Sequence, residues 1–256
     1  MHAFQLLNKN LRVIICALIV SLFISSENCE AFGLDEIYSP NVEYREFSLE
    51  LSNARSYDAS PVKNNAQVGE LTVEIGVTPR LQVEASSEYS KDPGNSLQLI
   101  SQEIEGRYQF VESGEYWLDI GMLLAYDFST QGNTLNSMEC KVLLQKDSGK
   151  LTNTTNIGFT RNVGLFTEQS GNQDYVFLWN TRYRYNIYFQ PGIEIQSDLG
   201  QVHQLGYINE QEHYFGPSVY GKLFGHLKYQ AGYYLGISNV ASRSASRLMV
   251  EYEMHY

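Results

Sequence analysis

The chain has 256 residues and a formal charge of −11 at pH 7. That acidity excludes general nucleic-acid binding, because phosphates would repel it. Nineteen Tyr and twelve Phe against six Pro exclude a disordered composition and favour strands.

Residues 1–31 read as an export signal. Lys9 and Arg12 form a positive start, VIICALIVSLFIS (13–25) an apolar core, and SENCEA a cleavage site with Cys29 at −3 and Ala31 at −1. The apolar run is shorter than the roughly 20 residues a membrane-spanning helix needs. Acylation at Cys29 is the rival reading, and Ser26-Glu27-Asn28 is a poor context for it. Cleavage leaves one domain, 32–256, with unchanged charge, since Lys9 and Arg12 leave with Glu27 and Glu30. Cys140 is then the only cysteine, so an intramolecular disulfide is excluded. No later window is apolar enough for a spanning helix, so membrane residence requires a barrel.

Two-residue alternation predicts twelve strands in the mature chain. The first, 43–53, sets Phe47, Leu49 and Leu51 against Glu46, Ser48 and Glu50. The second (68–77) and third (81–90) repeat the pattern, with Leu71, Val73 and Ile75, then Leu81 and Val83, opposing Glu70, Glu74, Glu84 and Glu88. In the fourth (98–110), Ile100, Ile104 and Tyr108 oppose Glu103, Glu105, Arg107 and Gln109. The fifth (115–127) carries Tyr116 to Tyr126 on its apolar face, and the sixth Met138, Cys140, Val142 and Leu144. The seventh (151–162) is the weakest, resting on Ile157 and Phe159 among Thr and Asn. Tyr175 to Tyr185 form the eighth, followed by 190–198, 213–223 and 226–236. The last, RLMVEYEMHY, alternates Leu248, Val250, Tyr252, Met254 and Tyr256 with polar residues, Met249 excepted.

The connections after even strands are short (TPR, VESGE, KDSGK, NIYFQ, LFG), and those after odd strands are longer and polar. An even strand count with turns on one side and loops on the other is the pattern of outer-membrane barrels. The expected fold is therefore an all-β, transmembrane, antiparallel up-and-down barrel of about twelve strands, with short periplasmic turns and longer extracellular loops. Tyr116 with Tyr126, and Tyr175 with Tyr185, are candidates for the two interfacial girdles. The terminal strand Leu248, Val250, Tyr252, Met254, Tyr256 resembles the assembly signal of such barrels. A periplasmic sandwich or soluble barrel is the competing fold.

The stretches 35–53, 114–128 and 145–164 resemble a group of uncharacterised proteobacterial outer-membrane barrels with no assigned activity. The resemblance implies fold and location for most of the mature chain. A looser similarity is to outer-membrane proteins associated with aromatic-compound degradation.

The polar faces carry the functional expectation. Glu46, Glu50, Glu70, Glu74, Glu84, Glu88, Glu103 and Glu105 form an acidic lumen wall, and Lys141, Arg182, Arg184, Lys222 and Lys228 a basic one opposite. Such a cross-lumen field orients polar solutes; the same groups paired across a narrow interior would plug it. The expected function is a channel or passive transporter for small polar or cationic solutes, not an enzyme, with no cofactor or metal. The alternative is a closed-lumen structural barrel or an outer-membrane lipid-modifying enzyme. Hydrolysis would need a Ser–His pair, yet GISNVAS (236–242) lacks a His two residues before Ser238, and Ser218 has no recognisable partner motif. His203 and His213 with Glu210 and Glu212 read more readily as a solvated loop than as a metal site. Cys140, on the apolar stripe, reads as an inert thiol. Expected partners are outer-membrane lipid, lipopolysaccharide and the barrel-assembly machinery, in the outer membrane of a Gram-negative bacterium after signal cleavage.

Overall fold

Alternating side chains give each strand one apolar and one polar face, and the only closed arrangement that buries every backbone group without water is a cylinder. The computed structural model describes residues 34–132, 134–163, 173–201 and 206–256. The export signal and His203 lie outside them. The chain forms β1 (Glu46–Tyr57), β2 (Gln67–Thr78), β3 (Leu81–Lys91), β4 (Gln98–Gln109), β5 (Asp119–Ser129) and β6 (Asn136–Ser148). It continues as β7 (Leu151–Val163), β8 (Gln173–Tyr183), β9 (Gln190–Gln201), β10 (Glu212–Leu223), β11 (Leu227–Gly236) and β12 (Ser244–His255). Each strand pairs antiparallel with the next, and β1 pairs with β12 from Glu46↔His255 to Tyr57↔Ser244, so no edge remains.

The outward face is apolar. Leu51, Ile104, Leu124, Phe215 and Leu248 project from mid-strand and are each more than 40% exposed on the isolated chain. An apolar belt of this extent would be an aggregation surface in water and is a lipid-facing surface in a bilayer. The inward face is polar: Ser48, Glu50, Thr72, Glu84, Glu105, Asn156 and Glu194 are buried. Met249, the residue that spoils the terminal alternation, is buried facing inward, while Leu248, Val250, Tyr252 and Met254 face outward. Cys140 also sits on the outward stripe, half-buried.

Several expected boundaries move, among them the end of β8, at Tyr183 rather than Tyr185. β1 starts at Glu46 rather than 43, because Arg45 adopts a left-handed conformation (φ 63°) where the chain enters the wall. β5 starts at Asp119 rather than 115. Residues 110–118 form a turn, in which the main-chain N–H of Glu115 donates to Glu112 (3.0 Å) and the Asp119 carboxylate accepts from Gly114 (2.8 Å). That turn matches the opposite loops in length, so the short-and-long alternation is not strict. Tyr116 and Tyr185 therefore lie in exposed turns instead of at strand ends.

Closure makes mid-strand outward positions sensitive to charge. Leu248, paired with Asn53 and Ala231 at the middle of β12, is expected to cost ~2–4 kcal/mol when changed to Arg. Gel electrophoresis of unboiled samples should show less heat-modifiable, folded barrel for L248R; a folded fraction equal to wild type would contradict a lipid-facing seam.

Candidate functional site: a lumen divided by the N-terminal segment

An unpaired backbone segment inside a barrel needs partners for each N–H and C=O. Residues 34–45, which precede β1, run down the lumen from the end carrying the loops, where Leu34 packs, toward the end carrying the short turns, where the chain enters β1. Asn156, fully buried on β7, holds Tyr38 by both main-chain groups: its Oδ1 accepts from the Tyr38 N–H (2.7 Å) and its Nδ2 donates to the Tyr38 carbonyl (2.9 Å). The Val42 N–H donates to Gln109 on β4 (2.9 Å), and Arg107 donates to the Ser39 carbonyl (3.3 Å). Arg247 of β12 donates to the carbonyl of Asp35.

The segment is also packed. The Tyr38 ring rests against Leu123, Ala125 and Leu143, an apolar patch inside an otherwise polar wall. The guanidinium of Arg107 and the ammonium of Lys141 lie 5.3 and 5.5 Å from its ring centre, within cation–π range. Leu34 packs on Tyr214, Tyr234, Ala241 and Ala245 nearer the loops. Two glycines clear the path. A Cβ on Gly121 would come within 2.9 Å of Pro40, and one on Gly76 within 2.0 Å of the Glu43 carbonyl oxygen.

Two chambers remain beside the segment. One, about 220 Å³, lies toward the loops and is lined by Asp35, Glu36, Glu50, Glu70, Glu88, Glu103, Glu105, Asp127 and Glu139, with Lys141 and Arg247. The other, about 410 Å³, lies toward the turns and mixes Glu43, Glu46, Glu74 and Glu251 with Arg107, Arg182, Lys222 and Lys228. Glu36 and Met249 line both, so the chambers adjoin there.

All eight carboxylates of the expected acidic wall face the lumen, and the wall continues through Asp127, Glu139, Glu251 and Glu253. The expected basic wall does not exist as a unit. Arg184 follows β8 in a turn, where it pairs with Asp147 and donates to the Gly149 carbonyl at the turn-end rim, lining neither chamber. Lys141 sits within the acidic side and pairs with Glu139 (2.9 Å). Arg182 lies 5.1 Å from the ring centre of Tyr220. Lys222 and Lys228 gather at the turn end around Glu253, with Lys228 also 3.4 Å from Glu251 and 3.8 Å from Glu46.

Glu74 and Glu84 do not pair across the lumen with the expected basic residues. Their partner is Arg107 of β4, at 3.4 and 3.0 Å. A second unforeseen centre is Glu194 on β9, fully buried. It accepts from Arg247 (2.8 Å), Tyr220 (2.5 Å), Tyr234 (2.8 Å), Gln230 (3.0 Å) and Gln196 (3.2 Å), which ties four consecutive strands together. The group around His213 does not converge: Glu210 turns back to the Tyr207 N–H (2.9 Å), and Glu212 accepts from Tyr214 (2.8 Å). Ser238 accepts from the main-chain N–H of His213 (3.3 Å).

No protein-family model matches the chain, and no curated protein matches it in sequence. Solved structures do match in shape. The KdgM porin, also solved in complex with disordered oligogalacturonate, superposes with a TM-score of 0.56 at 10% identity. That match covers 81% of this chain and 99% of the porin. The NanC porin gives 0.55 at 13% identity, covering 81% and 99%. The translocator domain of the autotransporter NalP from Neisseria meningitidis gives 0.53 at 10%, covering 82% and 88%. The chain thus has the closed twelve-stranded antiparallel fold of outer-membrane porins.

The Glu194 centre and the Arg184 pair make opposite stability predictions. Glu194→Ala strands a buried guanidinium and should cost about 3–5 kcal/mol. Arg184→Ala removes a half-exposed pair and should cost at most about 1 kcal/mol. Urea unfolding of the detergent-folded barrel measures both; similar small losses would contradict the assignment of Glu194 as the structural centre.

Proposed function

We propose that this barrel is an outer-membrane channel, a passive path for small polar or cationic solutes, and that residues 34–45 form its constriction. The observation that carries the reading is the pair of adjoining chambers that persists beside the N-terminal segment. A lumen closed for structural purposes would fill with interlocked side chains, as in the smallest barrels. Here the polar wall instead surrounds solvent-sized space along the axis. The porin shape of the neighbours supports transport over lipid chemistry, and the Ser238 hydroxyl meets the main-chain N–H of His213 instead of its imidazole.

The turn end, with both barrel termini, faces the periplasm in this reading, and the loop end faces outward. Export would precede insertion, with cleavage after Ala31, and the assembly machinery would engage the Leu248–Tyr256 strand. Outer-membrane lipid and lipopolysaccharide would contact the apolar belt. The KdgM porin complex holds an acidic oligosaccharide; the chamber nearer the loops in this chain carries the opposite preference, because its carboxylates repel anions and concentrate cations.

Conductance separates the channel from the closed barrel. Planar-bilayer recordings should give a small, measurable conductance for the mature protein. Deletion of residues 32–42 should raise it severalfold while unboiled gel mobility still reports a folded barrel. A wild type that conducts nothing, opened only by the deletion, would establish the closed-lumen alternative.

A further inference from the structure

Carboxylates placed opposite one another across paired strands destabilise a sheet unless a cation sits between them. In the chamber nearer the loops this arrangement repeats: Glu70 faces Glu88, and Glu103 faces Asp127. The two cations in that lining are already committed, Lys141 to Glu139 and Arg247 to Glu194. Among the described residues, none of Glu50, Glu70, Glu88, Glu103 and Glu105 makes a salt bridge.

A separate observation points to a ligand. Glu105 is 4% exposed and lines the chamber, and its Oε1 has no hydrogen-bond partner. A buried carboxylate oxygen left unmatched is costly, and a bound donor removes that cost. A positively charged donor fits best, because the groups around it are predominantly carboxylates.

The spacing of the carboxylates selects the kind of cation. Groups able to close on one metal ion, with ligand atoms within 4.8 Å of one another, occur among the described residues at the turn end: Glu43, Glu46 and His255, and Glu46, Glu251 and Glu253. The chamber's carboxylates are spread over its walls instead. Between them stand apolar side chains, Leu34, Ala54, Val68 and Met249. Ammonium groups would meet the carboxylates, and a methylene chain would lie on the apolar strip. A volume of about 220 Å³ suits a small organic molecule rather than a bare ion.

We infer that the chamber is a binding site for an elongated aliphatic cation with two or more ammonium groups, of the diamine and polyamine class. This deepens the channel reading by naming the solute class. It places the site on the loop side of the constriction at Glu36 and Met249, where a solute entering from outside would be held first.

Isothermal titration of the purified, detergent-folded mature protein at low salt tests it, with spermidine as the probe and Mg²⁺ and n-butylamine as comparators. Spermidine should bind at least about tenfold more tightly than either, because two charge-assisted contacts outweigh one. The double variant Glu103→Gln/Glu105→Gln should lose on the order of tenfold or more in spermidine affinity. It removes like-charge repulsion, and unboiled gel mobility should stay that of the folded barrel. Asp147→Asn, at the turn-end rim and lining neither chamber, should bind as wild type does. Spermidine binding no tighter than Mg²⁺, or unchanged in the double variant, would overturn the site. A protein that binds spermidine but passes no current would instead defeat the channel reading and leave the site standing.

Discussion

Pairing of β1 with β12 is the constraint on which the rest depends. In hydrocarbon, an unpaired N–H or C=O costs several kcal/mol, and an open sheet would expose a row of them along each edge. The twelve-residue register from Glu46↔His255 to Tyr57↔Ser244 removes both edges at once. It also fixes the circumference, and the circumference decides how much lumen is left over. Twelve strands enclose more space than wall side chains fill, so an extended segment fits within and two chambers remain.

Closure creates a second problem, because it turns many carboxylates toward one another. The structure answers it in two different ways. Around Glu194, and around Arg107 with Glu74 and Glu84, guanidinium groups neutralise the acids within hydrogen-bonding distance. At the turn end, Lys222 and Lys228 do the same for Glu251 and Glu253. Near the loops Lys141 answers Glu139 alone, while Glu50, Glu70, Glu88, Glu103 and Glu105 have no ion-pair partner among the described residues, so acid remains in excess there. Uncompensated charge lowers the stability of the folded wall. That cost is consistent with a lumen selected for the solutes it meets and not for stability alone.

The fold was legible because the period of two is a local signal. Where Phe47, Leu49 and Leu51 alternate with Glu46, Ser48 and Glu50, the pleat assigns a face to each without knowledge of the partner strand. The acidic side was readable for the same reason. The pairing of those acids was not, since it depends on which strands meet across the lumen and at what height. Arg184 illustrates the failure: one residue beyond the end of β8, it leaves the wall and meets Asp147. The lodged N-terminal segment did leave a trace. Leu123-Leu124, Leu143-Leu144 and Tyr233-Tyr234 break the alternation by placing a large apolar side chain on the polar face. Apolar groups facing a polar lumen imply something apolar against them, and Tyr38 and Leu34 are what lies there.

An acidic, partly constricted lumen should pass cations in preference to anions. Reversal potential across a planar bilayer under a potassium chloride gradient measures this directly on the mature wild-type protein. The account predicts a potential of the sign set by potassium permeating faster than chloride. A potential of the opposite sign would contradict it.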